Sequence, residues 1–228
     1  MPRIVVIIPA LNEAASIGRV LADIPRGVVA EVVVANNGST DATREEAQRG
    51  GATVVDEPER GYGAACLRAI DYLRQQAIPP DVVVFLDADY SDYPEELPDL
   101  VAPLLDGRAE LVIGSRVARA SHGALMPQQR FGNWLSTWLI YRLYGYRFTD
   151  LGPFRAVTWQ ALERMKMRDR NFGWTVEMQV KAARLGLSVM EISVGYRPRI
   201  GISKVSGTVR GSFLAGVKIL AVVFGWGR

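Results

Sequence analysis

Two aspartates one residue apart follow an apolar run in VVVFLDADYSD, residues 82–92. In an extended chain alternate side chains point to the same side, so the Asp87 and Asp89 carboxylates would repel each other unless a cation lies between them. Hard oxygen ligands of this kind suit Mg²⁺ or Mn²⁺ that is also held by substrate phosphates. The pair therefore predicts a divalent metal and diphosphate site. Asp92 is either a further ligand or a cap of the helix that Pro94 begins.

Other titratable residues narrow the chemistry. The chain has one histidine, His122, which excludes a histidine-rich metal site and argues against a Ser-His-Asp triad. Its one cysteine, Cys66, cannot form an internal disulfide, and the apolar run from Ile4 ends at Pro9, too early for a signal peptide. We therefore expect a cytoplasmic protein in which carboxylates bind any metal.

Basic residues are concentrated near the end of the sequence. Residues 192–228 contain six basic side chains and no acid, although the net charge of the whole chain is only +3. Solvated surface would explain such a run, as would an anionic substrate or an anionic membrane surface. Binding to nucleic acid is not expected, because the run is interleaved with Gly, Ile and Val and not with exposed aromatic residues.

Apolar runs alternate with helical segments over about the first 115 residues. The runs predict parallel strands buried on both faces, at residues 4–8, 32–35, 52–55, 82–86 and 111–113. Helices are predicted between them, at residues 14–24, after Asp41, at 63–76 and from Pro94 to Leu104. The alternation predicts a doubly wound α/β sheet, mostly parallel with helices on both faces, in a single domain. Ligands are expected at the carboxyl ends of its strands.

After Arg116 the pattern changes to a loop and an aromatic-rich helical segment, FGNWLSTWLIYRLYG. Its apolar residues are about one turn apart, which is typical of core packing, although an acceptor groove or a membrane-facing surface would use the same residues. Beyond it we predict a turn at 150–153, helices near 159–167 and 174–185, a strand at 189–194 and a last helix from about Val209. That helix is too short to span a membrane and should be packed or interfacial.

Six motifs follow one another along the chain: PALNE (9–13), NNGSTDAT (36–43), RGYGAA (60–65), DADYSDYPEELP (87–98), GSR (114–116) and DLGPFRA (150–156). In this order they resemble the inverting family 2 glycosyltransferases of the GT-A fold, most closely the group that makes dolichyl- or polyprenyl-phosphate mannose. The resemblance covers nearly the entire chain. It implies one Rossmann-like domain, with a nucleotide-sugar-binding half at 1–116 and an acceptor-binding half, including the later helices, at 117–228.

The resemblance also implies which residues bind the donor, a nucleotide diphosphate sugar. Asp87 and Asp89 would hold Mg²⁺ or Mn²⁺ and the diphosphate, with Ala88 between them. The family usually has an acid at the position of Asn36 and often at Asn37, whereas both are amides here, so the base could be uridine or guanosine. The remaining matches are Pro9, Leu11 and Glu13 for the nucleotide pocket, Asn37 and Asp41 for the base and ribose, and Gly61 and Gly63 for close backbone approach to the nucleotide.

The chemical class of the acceptor decides whether the enzyme needs a general base. A sugar hydroxyl must lose a proton to a carboxylate, whereas a phosphate monoester is already anionic at pH 7 and needs cations. YRPRIGISKVSGTVRG, residues 196–211, offers arginines, a lysine and serines that could bind a phosphate, although its first arginine, Arg197, could equally be a surface residue. A similar element faces the lipid phosphate in the resembled group. That role is therefore implied for Arg116, Arg199, Ser203 and Lys204.

The sequence thus predicts a metal-dependent hexosyltransferase that acts on a polyprenyl phosphate, with inversion, at the cytoplasmic face of a membrane. An alternative uses Glu177, in FGWTVEMQ, because hydroxyl-using relatives have their base near that position. Glu177 would then deprotonate a saccharide or small-molecule hydroxyl. The catalytic candidates are thus Asp89, Arg116 and Glu177. Asp150 is a further carboxylate candidate, either orienting the donor sugar or acceptor, or serving only as a turn residue before Gly152.

Overall fold

The protein is described by a computed structural model that covers residues 1–121, 123–124 and 127–201, without the side chain of Gln128. The predicted helix from Val209, together with Ser203 and Lys204, lies outside the described residues. Within them, each helix is too short or too polar to cross a bilayer.

One mixed sheet of seven strands runs through the described chain, in the order β3-β2-β1-β4-β6-β5-β7. All neighbouring strands are parallel except β6, which is antiparallel to both β4 and β5. The predicted mostly parallel α/β fold is therefore confirmed. The strands are β1 Ile4–Ala10, β2 Glu31–Asn36, β3 Thr53–Asp56, β4 Val82–Phe85, β5 Leu111–Ser115, β6 Arg155–Thr158 and β7 Val189–Ser193.

Helices cover both faces of the sheet. They are α1 Ile17–Asp23, α2 Thr43–Arg49, α3 Tyr62–Arg74, α4 Leu97–Leu105, α5 Pro127–Tyr144, α6 Trp159–Met165 and α7 Trp174–Arg184, with a 3-10 turn at Pro94–Glu96. Side chains alternate along β1, so that Val5 and Ile7 belong to one apolar core and Val6 and Ile8 to another. The first core is closed by α3, α5, α6 and α7, and the second by α1, α2 and α4.

Strand β6 was not predicted from the sequence. It is only four residues long and begins with Arg155, a residue that seldom marks a buried strand. Arg155 is nevertheless fully buried, because its guanidinium donates to the backbone carbonyls of Leu151, Gly152 and Thr175. Burial lowers the pKa of Arg155 to about 10. An antiparallel strand begins where its parallel neighbours end, so β6 places the preceding residues beside the carboxyl ends of β4 and β5.

Candidate active site

The aspartates of DADYSD form a tight turn directly after β4. Asp89 is buried, and its Oδ1 accepts hydrogen bonds from the backbone and hydroxyl of Ser91, at 2.9 and 2.5 Å. Tyr90 has a φ of 64°, which closes the turn in the left-handed region. Asp87 Oδ1 accepts from the Tyr62 hydroxyl at 3.0 Å, and burial raises the pKa of Asp87. The predicted pair therefore lies at the carboxyl edge of the sheet.

Asp92 is a buried acid in the same turn. It is 1% exposed, and neither oxygen has a well-aligned hydrogen-bond donor among the described residues. It does not cap the following 3-10 turn, so the capping interpretation is wrong. Burial, together with the negative charge of Asp87, raises the pKa of Asp92 to about 8. A nearby cation stabilises the charged form of a buried carboxyl group, so this turn fits a divalent metal.

The carboxylates do not form a complete metal cage. Within the described part of the chain, no three acidic, histidine or cysteine side chains form a group that could hold an ion by themselves. A metal at Asp87 and Asp89 would therefore need oxygens from a substrate to complete its coordination, which is the usual arrangement for Mg²⁺ beside phosphates.

Residues 197–200 pack along the aspartate turn. The backbone N–H groups of Arg197 and Ile200 donate to the carbonyls of Ser91 and Asp89, both at 2.9 Å. The Arg197 guanidinium lies 3.4 Å from the ring centroid of Tyr90 and donates to the carbonyl of that residue at 2.7 Å. Arg197 is therefore a structural residue that holds the turn, and not a free surface side chain.

Arg199 contacts the metal-ligand candidates directly. Its guanidinium forms an ion pair with Asp89. The charge of Arg199 also opposes the effect of burial on the pKa of Asp87. Arg199, predicted to bind the acceptor phosphate, is thus paired with Asp89, predicted to bind the metal.

Arg116 and Asp150 form a bidentate pair at the end of β5. Nε and Nη2 of Arg116 donate to the two carboxylate oxygens at 2.7 and 2.8 Å, and its backbone N–H donates at 2.8 Å. Burial would lower the pKa of Arg116, but the hydrogen bond and charge of Asp150 outweigh it and raise that pKa. The guanidinium also lies 4.9 Å from the ring centroid of Tyr196. Arg116 is consequently a fixed cation, and Asp150 is more than a turn residue.

The loops after β1 and β2 meet at the same edge of the sheet. Asn12, with a φ of 52°, accepts from the Thr40 backbone at 2.8 Å, and the Glu13 backbone donates to the Thr43 hydroxyl at 2.7 Å. Asp41 accepts from the Thr43 backbone and hydroxyl, and such hydrogen bonds outweigh burial and lower its pKa. Pro9 and Leu11, at the end of β1, are half-buried beside these loops.

Asn37 is used internally. It is buried, its amide donates to the carbonyls of Glu57 and Glu59, and its oxygen accepts from the Gly61 backbone at 2.8 Å. Asn37 therefore holds the loop before α3. Its neighbour Asn36 donates to Asp56 at 2.8 Å, so both amides that replace family acids organise loops.

A cavity of about 590 Å³ opens beside the Arg116–Asp150 pair. Thr149 and Asn133 contribute polar groups next to the pair, whereas Val117, Trp134 and Phe148 supply apolar wall. The cavity wall is therefore of mixed character, with charged, polar and apolar side chains.

Comparison with known families identifies the chain. Residues 5–172 match the family described as glycosyl transferase family 2. The chain belongs to glycosyltransferase family 2. Over 214 residues it is 40% identical to an uncharacterised glycosyltransferase of Mycobacterium tuberculosis, covering 93% of this chain and 94% of that relative. It is also 28% identical to an undecaprenyl-phosphate mannosyltransferase of Micrococcus luteus, with 98% of this chain and 96% of the relative covered.

A solved structure supports the GT-A fold of this family 2 member. Glucosyl-3-phosphoglycerate synthase of Mycobacterium tuberculosis, in complex with Mn²⁺, uridine diphosphate and glucosyl-3-phosphoglycerate, superposes with a TM-score of 0.77. The sequences are 24% identical, and the match covers 98% of this chain and 79% of the other. The prediction of Mg²⁺ or Mn²⁺ agrees with the ion in that structure.

In this family 2 chain, the Glu177 carboxylate is engaged in contacts that support the fold. From the first turn of α7, its carboxylate accepts the backbone N–H groups of Arg168 and Asp169 at 3.0 and 2.8 Å. It also pairs with Lys181 Nζ at 2.7 Å. These contacts make Glu177 an anchor of the loop between α6 and α7. They do not favour its use as a base.

Gly61 and Gly63 are required by the internal packing of the fold, and the expected approach of a nucleotide to them stays a prediction. The backbone of Gly63 donates to the Asn171 carbonyl at 3.2 Å, and a Cβ at Gly63 would overlap the carbonyl oxygen of Asp169. A Cβ at Gly61 would likewise overlap the carbonyl oxygen of Arg170. Glycine is therefore needed here so that the start of α3 can meet the loop that Glu177 anchors.

Two site residues were missed in the sequence. Tyr62, which donates to Asp87, lies inside RGYGAA, where only the glycines were assigned a role. Tyr196 precedes the basic segment and supplies the ring beside Arg116. The position of Tyr62 inside a motif was a usable signal, whereas that of Tyr196 depends on the packing of β5 against β7.

Proposed function

We propose that this family 2 glycosyltransferase transfers a hexose from a nucleotide diphosphate sugar to a polyprenyl phosphate, with inversion at the anomeric carbon. Support comes from the acceptor side of the site, where Arg116 and Arg199 approach the aspartate turn. Two of the carboxylates considered as catalytic groups, Asp150 and Glu177, are already engaged by a guanidinium and by backbone N–H groups, respectively. A phosphate acceptor requires cations and no base. The Micrococcus luteus relative, named an undecaprenyl-phosphate mannosyltransferase, is in line with this acceptor.

On the donor side, Asp87 and Asp89 would hold Mg²⁺ or Mn²⁺. The bound ion would neutralise charge on the leaving diphosphate. Tyr62 keeps the Asp87 carboxylate oriented, and the Asp89 carboxylate is oriented by Ser91. The nucleotide would lie against the loops after β1 and β2 and beside the aspartate turn. The proposed lining residues are Pro9, Leu11, Glu13, Asp41, Ala88, Gly61 and Gly63, with Asn37 supporting the loop behind them.

On the acceptor side, the cations would position the attacking phosphate. Asp150 holds the Arg116 guanidinium in one orientation, and Arg199 is tethered next to Asp89 by the backbone bond of Ile200. A phosphate oxygen would bond to the anomeric carbon while the bond to the nucleoside diphosphate breaks on the opposite face, which inverts the configuration. Ser203 and Lys204 are proposed to complete this phosphate site.

We further propose that residues 1–116 bind the donor and residues 117–228 the acceptor, within one domain. A polyprenyl phosphate resides in a membrane, so the enzyme would act as a peripheral protein at the cytoplasmic membrane face.

The proposal is tested by measuring product formation from labelled UDP- and GDP-hexoses with Mn²⁺. A short polyprenyl phosphate, phosphoglyceric acid and simple saccharides are offered as separate acceptors. We expect label in the lipid phosphate, lost when a chelator is added, and the productive donor identifies the base and sugar.

Label in phosphoglyceric acid alone would overturn the lipid phosphate as the acceptor. Label only in a saccharide would overturn the phosphate proposal and return Glu177 to consideration as a base.

A further inference from the structure

Helix α5 presents an aromatic face that is largely exposed among the described residues. Phe131, Trp134, Trp138 and Tyr141, here called the aromatic stripe, are each between 39% and 62% exposed. Their spacing of three and four residues places them along one side of the helix. Neighbouring rings are in contact, with centroids 5.9 Å apart for Phe131 and Trp134 and 6.3 Å apart for Trp134 and Trp138.

The orientation of α5 is set by its other side. Ser136 and Ile140 are buried, and Ile140 joins the first apolar core. Rotation of the helix to hide the stripe would therefore expose core residues. The aromatic stripe is a permanent outward surface of this part of the protein.

The segment that carries the stripe is basic. Between Val117 and Thr149 the sequence contains arginines and no aspartate or glutamate. Arg130, Arg142 and Arg147 are exposed on or next to α5, and the Arg147 guanidinium lies 4.7 Å from the ring centroid of Tyr141. Aromatic rings flanked by arginines match the headgroup region of an anionic bilayer.

The stripe is continuous with the active-site cavity. Trp134 belongs to the stripe and also lines the cavity, as does Arg130, and Arg116 and Asp150 lie in the same cavity. A lipid whose chain remains in a membrane below the stripe could reach Arg116 with its phosphate through this opening.

We propose that the aromatic stripe docks the protein on an anionic membrane surface. The cavity beside Trp134 then admits the acceptor phosphate toward Arg116, a step that rests on the proposed function. Pairing with a second copy of the chain is disfavoured, because a two-fold interface would bring the arginines of both copies together without any acid.

The test uses the full chain with phosphatidylcholine vesicles that either contain phosphatidylglycerol or lack it. We expect sedimentation with the anionic vesicles and weaker sedimentation with the neutral ones. The double variant Phe131→Ser/Trp138→Ser, neither of whose residues lines the cavity, should lower affinity for anionic vesicles at least about tenfold. The matched control is Ile78→Ser, which removes a side chain that is 70% exposed before β4 and should bind like the wild type.

Several outcomes would overturn the docking proposal. These are unchanged vesicle binding by the double variant, a changed oligomeric state in sedimentation velocity without vesicle binding, or a large fall in Tm, which would mean that the chain itself covers the stripe. Binding of the wild type to an acidic protein, but not to vesicles, would also overturn the docking proposal.

The docking and the proposed reaction fail separately. Transfer to a short, water-soluble polyprenyl phosphate without vesicles should be equal in the wild type and the double variant. Absence of transfer in both, with vesicle binding intact, would reject the proposed reaction and leave the docking surface standing.

Discussion

At the residue scale, one side chain in the site can have two interaction partners, and Arg199 is an example. It is proposed to bind the acceptor phosphate, yet it is ion-paired with the metal-ligand candidate Asp89. A guanidinium and a divalent cation compete for one carboxylate because both are stabilised by its charge. Arg199 would therefore be released toward the acceptor when a cation binds Asp89.

This competition predicts the effect of Arg199→Gln on metal binding. Without nucleotide, Mn²⁺ affinity should rise by up to roughly tenfold, since a partly exposed ion pair is worth on the order of 1 kcal/mol. Titration of Mn²⁺ followed by electron paramagnetic resonance measures this directly. Arg119→Gln, which removes an exposed arginine paired with Glu96, is the control and should leave the affinity unchanged. Equal or weaker Mn²⁺ binding by Arg199→Gln would contradict the competition.

Asp92 predicts a pH dependence of stability. Its pKa is raised from 3.8 to about 8 in the folded protein, first by burial and then by Asp87. Between these values the folded state keeps a proton that the unfolded chain has released. Its contribution to stability is therefore complete below about pH 4 and is lost as the pH rises to about 8.

With a chelator present, Tm should accordingly fall between pH 5 and pH 8, and Asp92→Asn should flatten this fall. At pH 8 the variant should be several degrees more stable, because each kcal/mol corresponds to about 2–4 °C in a chain of this size. Thermal unfolding at a series of pH values provides the measurement. Asp99→Asn, at an exposed position on α4, should follow the wild type. A parallel pH profile for Asp92→Asn would refute the assignment.

At the scale of elements, the start of α3 and the loop before α7 form one unit. The loop is anchored by Glu177, and the glycines at the start of α3 allow its backbone to come close. The glycines contact the loop through backbone atoms, and sequence patterns do not identify such contacts. Both parts adjoin Tyr62, which orients Asp87.

Gly63→Ala should destabilise this unit. The added methyl group would overlap the Asp169 carbonyl oxygen, so we expect a loss of about 2–3 kcal/mol in the free energy of unfolding. Denaturant titration provides the value. Gly18→Ala on α1 is the control, because nothing lies within 4 Å of the added Cβ. The stability of this variant should equal or slightly exceed that of the wild type. Equal stability of both variants would argue against the close packing.

Glu177→Gln separates an anchor from a base. As an anchor, the carboxylate satisfies backbone N–H groups, so its loss should cost about 1–3 kcal/mol of stability, with kcat changed only a few-fold. As a general base, its loss should lower kcat by roughly 10²–10⁴ with little change in Tm. Glu163→Gln, which breaks an exposed pair with Arg74, is the control for both measurements.

At the scale of the whole molecule, donor and acceptor groups meet at one edge of the sheet. The loops after β1, β2 and β4 arrive there because parallel strands end at the same edge. The acceptor groups arrive by other routes. Asp150 comes through the reversed direction of β6, and Arg199 comes through the segment that follows β7 and lies on the aspartate turn.

The sequence by itself determined the parallel strands and the aspartate turn. Apolar runs of three to five residues record burial on both faces, and a strand ends where polar residues begin, so these features are local. The motif order was also sufficient to indicate family 2. Strand β6 was missed because it has no such apolar run. Its four residues include the buried Arg155, whose burial is possible only because backbone carbonyls accept hydrogen bonds from its guanidinium.

Only the tertiary structure decided which charged residues become partners. Arg116 and Asp150 are 34 positions apart, and Arg199 reaches Asp89 from a different part of the chain. No periodicity records such contacts, because they depend on strand order and on the direction of β6. The same holds for Gly63 and Asn37, for which the family resemblance implied a ligand site but whose neighbours are backbone groups of distant loops. Local patterns therefore specify the elements, and the packing of the sheet assigns their side chains to partners.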